Sequence, residues 1–214
     1  MNIGIIGAGH IGSTAARLFT KPGHEVAVSN SRGPASLRSL ASELGPRCHV
    51  MRVDDAARFG AVVLLAVPWR TPEALPQPEY VAGKIAIDAM NPYGAGGEIL
   101  DLGGISSSGE TRKRLPGARL VKAFNTMYYQ HLATLGNTSL SIEDRYAIFV
   151  AGDDAEAKDT VSGLIEEIGF APVDTGGLEE GGRRQQPGSP IYNRPMNARE
   201  ARSILAAWPR TAAG

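Results

Sequence analysis

Cysteine is nearly missing from this chain: Cys48 is the only one among 214 residues. A lone thiol excludes an intramolecular disulfide and fits a reducing, cytoplasmic setting. The four histidines, His10, His24, His49 and His131, are scattered without ligand spacing, so no metal site is expected. Neither sign of charge is in excess, with 22 Lys plus Arg against 22 Asp plus Glu. That balance argues against nucleic acid or an anionic membrane as partner. No apolar run approaches the roughly 20 residues of a membrane span. The apolar start lacks a basic leader and is broken by glycines, which makes it a strand rather than a signal peptide. Aromatic residues are sparse at 6%, whereas glycine and proline are plentiful at 26 and 14, as many short strand–helix turns require. With 43% hydrophobic residues the chain can bury a sizeable core as one domain.

The first 32 residues organise the rest. Asn2 to Ile6 is a short uncharged run, the pattern of a strand buried on both faces. It leads directly into Gly7-Ala8-Gly9-His10-Ile11-Gly12, after which Ile11, Ala15, Leu18 and Phe19 recur at helical spacing. Lys21-Pro22-Gly23 stops that helix, and Glu25 to Val28 is a second strand. Strand, glycine turn, helix and strand form the opening of a dinucleotide-binding fold. Gly7 would make the tight turn, Gly9 would admit a pyrophosphate, and Gly12 would let the helix approach the strand. The helix N-terminus, with His10 and Ile11, supplies unpaired N–H groups and a favourable dipole for the anion.

The end of the second strand selects the dinucleotide. An NAD site needs a carboxylate there for the ribose 2′-hydroxyl. Here the residues are Ser29-Asn30-Ser31-Arg32, with a guanidinium and no acid. A charge-assisted hydrogen bond from Arg32 is worth roughly 1.5–3 kcal/mol, and each ~1.4 kcal/mol is tenfold in affinity. NADP(H) is therefore the expected cofactor, held by Asn30, Ser31 and Arg32.

Further along, Ala35–Leu44 is expected to be a helix, His49–Val53 a strand and Ala61–Val67 the central strand. Ligands lie beyond the carboxyl ends of such strands, so Ala66, Val67 and Pro68 should border the cofactor. Trp69 either lines that border or packs under the next helix. Lys84–Ala89 is the fifth strand and brings Met90, Asn91 and Pro92 towards the nicotinamide end. Ser107-Ser108-Gly109-Glu110 has capping-box spacing and starts a helix to Arg114. The serines are thus structural, and no Gly-x-Ser-x-Gly elbow supports a hydrolase. Arg119–Phe124 is the sixth strand. Asn125, Thr126, Met127 and Tyr128 at its end are the richest polar cluster at the expected cleft. Lys122 points either to the cleft or to solvent. Arg145–Ala151 is a further strand, Ala155–Ile168 a helix and Ala171–Asp174 a last strand. The polar, glycine-rich stretch 178–187 reads as a loop, either over the site or on the surface. Asn197–Trp208 is a terminal helix. The expected fold is α/β: a Rossmann-type doubly wound, mostly parallel sheet with a small C-terminal appendage. Residues 1–180 form the NADP-binding part, and 181–214 a loop and helix completing the same unit.

Together, Ile5–Gly12, Val28–Pro34, Ala66–Trp69, Asp88–Gly94, Lys122–Thr126 and Phe149–Asp154 resemble the NADPH-dependent coenzyme F420 reductase family. The resemblance implies NADP along the glycine turn and the Ser31–Arg32 pair, with a second redox ring over the nicotinamide. It implies a substrate side formed by Trp69, Asn125, Thr126, Met127 and Tyr128. Family members acting on coenzyme F420 often carry histidine in place of Asn125 and smaller residues in place of Tyr128 and Tyr129. Hydride transfer between two rings needs stacking and distance rather than a protein acid, and no catalytic side chain is certain. Lys122, Asn125 and Tyr128 are the candidates. Two alternatives stand beside this reading. One is an NADPH-dependent reductase of a small carbonyl, imine or quinone, which requires an acid such as Tyr128, Lys122 or His131. The other is a non-catalytic NADP-binding protein. A homodimer is expected from the resemblance and from the apolar terminal region.

Overall fold

The computed structural model describes residues 1–208. Eight strands form one sheet: β1 (Asn2–Ile6), β2 (Glu25–Ser29), β3 (Cys48–Val50), β4 (Val62–Leu65), β5 (Ile85–Asp88), β6 (Arg119–Ala123), β7 (Ala147–Ala151) and β8 (Ala171–Asp174). Their order is β3-β2-β1-β4-β5-β6-β7-β8. Every neighbouring pair is parallel except β6–β7. The chain leaves β1 outward to β2 and β3, then crosses back to β4. That reversal makes a crevice beside β1, where doubly wound folds bind their ligands.

The eight α-helices among the described residues are α1 (His10–Thr20), α2 (Arg38–Leu44), α3 (Val53–Phe59), α4 (Ser107–Arg114), α5 (Tyr129–Thr134), α6 (Ala155–Glu167), α7 (Leu178–Arg184) and α8 (Ala198–Ala206). Alternation along the strands divides the core. Ile3, Ile5, Val62, Leu64, Ile87 and Val121 face Ala15, Phe19, Val161 and Leu164 of α1 and α6. Ala27, Val63, Leu65, Ala86 and Leu120 face Ala56, Leu115 and Leu178 on the α3, α4 and α7 side. Strand β4 is buried on both faces, so its four side chains each contribute about 1.5–3 kcal/mol of burial. This is the Rossmann-type doubly wound architecture.

Several element boundaries differ from the sequence reading. The second helix opens as a 3-10 turn, Pro34–Leu37, and becomes α-helical only at Arg38, because Leu37 sits at φ −109°, ψ 3°. Strand β3 ends at Val50, and Val53 already opens α3. The stretch read as a loop from 178 is helical through Arg184, with Glu179 and Glu180 in its first turn and Arg183 and Arg184 in its last. Charges so placed complement the helix dipole. The boundary drawn between 180 and 181 therefore falls inside α7. Asn197 is the cap of α8 rather than its first residue, its side chain accepting from Glu200 N–H.

Helix α7 packs beside α4 and leads into a strap, Gln185–Asn193, at the carboxyl edge of the parallel strands. Asn193 N–H donates to the Thr126 carbonyl at 2.7 Å, and Ser107 N–H donates to Gln186 Oε1 at 3.0 Å. No helix among the described residues is long and apolar enough to cross a membrane.

Candidate functional site

The glycine turn leaves β1 at the switch point. Gly7 holds φ +104°, and a Cβ there would lie 2.4 Å from the Ala66 carbonyl oxygen. At Gly12 a Cβ would meet the Gly7 carbonyl oxygen at 1.8 Å. Both positions bring two backbone segments closer than any side chain permits. Gly9 differs: nothing lies within 4 Å of its Cβ position, and its φ of −74° suits any residue. Its missing side chain relieves no internal crowding, and the space it leaves suits a ligand. The first turn of α1 has no acidic residue and no side-chain cap. Its free N–H groups and the dipole form an anion cradle.

Beside it, Ser31 and Arg32 are exposed. Among the described residues the Arg32 guanidinium has no hydrogen bond or ion pair. Asn30 works differently from the sequence expectation. Its Oδ1 accepts Arg32 N–H at 3.0 Å and its Nδ2 donates to Ser36 Oγ at 2.9 Å, so it shapes the turn. The acid of β2, Glu25, stands at the far end of the strand and engages His49 at 2.9 Å. A cation with no partner among the described residues, the open N-terminal turn of α1 and the absence of a carboxylate from Ser29 to Arg32 fit a pyrophosphate with a 2′-phosphate.

The other end of the crevice is built from distant segments. Asn91 Nδ2 donates to the Asn125 carbonyl at 2.9 Å and to Tyr192 Oη at 3.2 Å. Asn125 Nδ2 donates to Asn91 Oδ1 at 3.0 Å and to the Gln185 carbonyl at 2.8 Å. Its Oδ1 is buried with no partner among the described residues. Tyr93 Oη and Tyr192 Oη are 3.1 Å apart. Burial, and then the hydrogen bond with Tyr93, push the Tyr192 phenol far above its ordinary range. It stays neutral. Phe124, fully buried just before Asn125, holds φ +66°. A bulky residue in that region costs about 1–3 kcal/mol and persists only where its surroundings enforce it.

Lys122 points neither to the cleft nor to solvent. It is fully buried, with its Nζ 3.3 Å from Asp88 Oδ2, 3.3 Å from Ser107 Oγ and bonded to the Met90 carbonyl. Burial lowers its pKa and the neighbouring Asp88 carboxylate counteracts that. A candidate catalytic lysine is thus withdrawn from any substrate contact in this conformation. The serines are structural, as their spacing implied, but the cap is Ser106, whose Oγ accepts Gly109 N–H at 2.8 Å. Ser107 and Ser108 are turned inward to Lys122 and Asp88.

Trp69 takes its packing role. It is buried beneath α4, its Nε1 donating to the Ser107 carbonyl at 3.4 Å and the Arg114 guanidinium 4.5 Å from its ring. It does not line a substrate surface. Ala66 N–H bonds the Ile6 carbonyl at 2.8 Å, which sets Ala66, Val67 and Pro68 beside the glycine turn. Met90 and Pro92 are buried around Asn91, and Thr126 and Met127 are buried beyond Asn125. Ile11 packs against the core. Tyr128 is 43% exposed, and its ring centroid lies 4.7 Å from that of Tyr129. Tyr129 in turn stacks on His10 at 4.1 Å with 13° between planes, bridging α5 to the glycine turn. His131 has a buried Nδ1 without a partner among the described residues. Tyr192 escaped the sequence reading, and Tyr93 and Gln185 lay in stretches it marked without being given a role, since no local pattern singles them out. The glycine-rich return of 178–187 was the available signal.

Residues 2–92 match the family described as NADP oxidoreductase, coenzyme F420-dependent. The chain is 34% identical to a hypothetical protein from Sinorhizobium meliloti, over 92% of this chain and 95% of that one, with a TM-score of 0.80. It is 25% identical to a candidate F420-dependent NADP reductase from Arthrobacter sp. FB24, over 97% and 91% of the two chains, with a TM-score of 0.70. It is also 29% identical over 178 residues to the metalloreductase STEAP3 of Rattus norvegicus, covering 82% of this chain and 34% of that protein. The chain thus spans about a third of the length of this curated relative. Sequence, sheet order and glycine turn agree, and residues 2–92 belong to the family of NADP oxidoreductases described as coenzyme F420-dependent.

Proposed function

We propose that this protein transfers a hydride between NADP(H) and a planar ring partner of the deazaflavin type, coenzyme F420 being the first candidate. The observation that carries this reading is the chemistry of the nicotinamide end. The side chains gathered there are neutral: the amides of Asn91 and Asn125 and the hydroxyls of Tyr93 and Tyr192. The one nearby ammonium, Lys122, is buried on other partners. A carbonyl or imine acceptor needs a proton delivered as it takes the hydride, worth roughly 10²–10⁴-fold when an acid is positioned. A deazaflavin ring delocalises the incoming charge and sets no such demand.

NADP(H), when bound, supplies the hydride at nicotinamide C4. The protein's part is to hold it. Gly9 and the N-terminus of α1 receive the pyrophosphate, and Ser31 and Arg32 receive the 2′-phosphate. The Asn91–Asn125 pair flanks the nicotinamide, and the exposed Tyr128 offers an aromatic edge to the second ring. Anaerobic mixing of the protein with NADPH and F420 tests the reading. Loss of NADPH absorbance matched by loss of the oxidised deazaflavin band is expected. NADPH binding without oxidation by F420, but with turnover of a quinone, carbonyl or imine, would overturn it in favour of a small-molecule reductase. Binding without turnover of any acceptor would leave an NADP-binding protein.

The likeness to a metalloreductase supports a second reading of the same site. A metal ion takes one electron and a hydride carries two, so a ring carrier must part them. Flavin belongs beside F420 in the assay, with a ferric chelate as terminal acceptor.

A further inference from the structure

Lys122 and Asp88 stand opposite each other in the register of β6 and β5, on the face covered by α4. Both side chains are fully buried. Such a pair is a poor source of stability, because desolvation offsets the attraction and well-packed apolar residues of similar volume often do as well or better. Its contacts suggest another purpose. Asp88 Oδ1 accepts Met90 N–H at 3.0 Å, while Lys122 Nζ donates to the Met90 carbonyl. Both polar groups of one backbone residue, just beyond β5, are therefore gripped by the two halves of the pair. Ser108 Oγ donates to Asp88 Oδ2 at 2.7 Å and Ser107 Oγ meets Lys122 Nζ, which completes the carboxylate and ammonium shells from α4. Met90 is followed by Asn91. Lys122 lies two residues before the left-handed Phe124 and three before Asn125. One buried cluster thus ties the turn after β5 to the turn after β6.

We propose that Lys122 and Asp88 are positioning residues: by holding the Met90 backbone they set the Asn91–Asn125 amide pair that receives the nicotinamide half of the cofactor. This inference rests on the NADP-dependent reading given above. It separates the two halves of the ligand, since the pair stands three strands across from Ser29 and the Arg32 turn and bonds neither Arg32 nor the glycine turn.

The test uses the full-length protein and two ligands: NADPH, and adenosine 2′,5′-bisphosphate, which has the adenosine and the 2′-phosphate but no nicotinamide. The double variant Asp88→Leu with Lys122→Met replaces the ion pair with apolar side chains. It is expected to fold with a lowered melting temperature, because the Met90 backbone and the Ser107 and Ser108 hydroxyls lose buried partners. It should bind the bisphosphate equally well, with NADPH affinity reduced about tenfold, the loss of one well-made hydrogen bond. Asn91→Ala, which leaves the ion pair in place, is expected to show the same split. A folded double variant with wild-type NADPH affinity would overturn the proposal and leave the pair a structural feature. Should the double variant not fold, Asn91→Ala decides: unchanged NADPH affinity overturns the proposal, and a loss confined to NADPH supports it. Wild-type protein binding neither ligand would instead bring down the NADP reading itself, a result readily told apart from the others.

Discussion

The two ends of the crevice are built on opposite principles. At the β1–β2 end the groups proposed to meet ligand are backbone N–H groups, an open glycine position and an exposed guanidinium with no partner among the described residues. At the β5–β6 end Asn91, Asn125, Tyr93 and Tyr192 are bonded to one another across separations of 34 to 101 residues, and the Asn125 and Gln185 amide oxygens are buried without a partner among the described residues. The first end is left unsatisfied so that an anion can satisfy it. The second is cross-linked, and in the function proposed above a planar, weakly polar ring meets its fixed amides. A charged phosphate tolerates a mobile arginine, because Coulombic attraction falls slowly with distance. Hydride transfer between rings does not tolerate misplacement, because its rate depends on a near-attack geometry.

If that contrast is right, damage to the bonded groups of the second end should unfold or misalign, and damage to the ligand-facing positions of the first, Gly9 and Arg32, should only weaken binding. The largest effect is expected from Lys122→Met alone, which strands the Asp88 carboxylate in the core. Breaking a buried pair in this way costs about 3–5 kcal/mol, read as a lowered denaturant midpoint. The double apolar variant should recover part of it, since the stranded charge is gone while the Met90 backbone and the two serines stay without partners.

Next come the glycines. Gly12→Ala forces a Cβ to within 1.8 Å of the Gly7 carbonyl oxygen, backbone that cannot step aside. A loss of about 3 kcal/mol is expected, at the upper end for overpacking. Gly9→Ala meets open space and should change the melting temperature little while weakening NADPH through contact with the pyrophosphate. Thermal unfolding with and without cofactor separates the two. Equal destabilisation by both would mean that Gly9 also serves packing.

Arg32→Ala should lower NADP affinity by roughly 1.5–3 kcal/mol, about ten- to a hundredfold, with NAD affinity unchanged. Titration calorimetry with both dinucleotides checks it. Matched losses for the two would remove the 2′-phosphate role.

The same contrast explains what could be read before any coordinates. The β1–β2 end is contiguous in sequence: a strand, three spaced glycines and Arg32 follow one another, so local rules suffice. Asn91 and Asn125 were legible as residues at strand ends, since strand order places such ends together. Their mutual bonding, and the arrival of Gln185 and Tyr192, were not, because nothing in a strap of glycine, proline and polar residues encodes where it docks. Lys122 shows the same limit. A lysine in a hydrophobic strand reads as cleft or solvent, and its buried alternative depends on Asp88, 34 residues earlier, falling in register with it. Trp69 was balanced between lining and packing, and the Arg114 guanidinium over its ring tips it to packing.

The smallest effect lies at the amino edge of the sheet, remote from both ends, and it makes the control. Asp154 caps α6 by accepting Ala157 N–H at 3.0 Å and receives Arg119 at 2.6 and 2.9 Å. The Arg119 guanidinium, and then that N–H, hold its carboxyl at about 2, below the ordinary 3.8. A depressed carboxylate contributes stability that is complete above its unfolded pKa and is lost as pH falls through the folded one. Wild-type stability should therefore decline between about pH 4 and pH 2, and Asp154→Asn, which keeps an acceptor for the cap, should flatten that decline. NADPH affinity at neutral pH should not change. A variant that lost cofactor binding as well would show the amino edge to be coupled to the crevice, and the two ends could then no longer be treated as separately built.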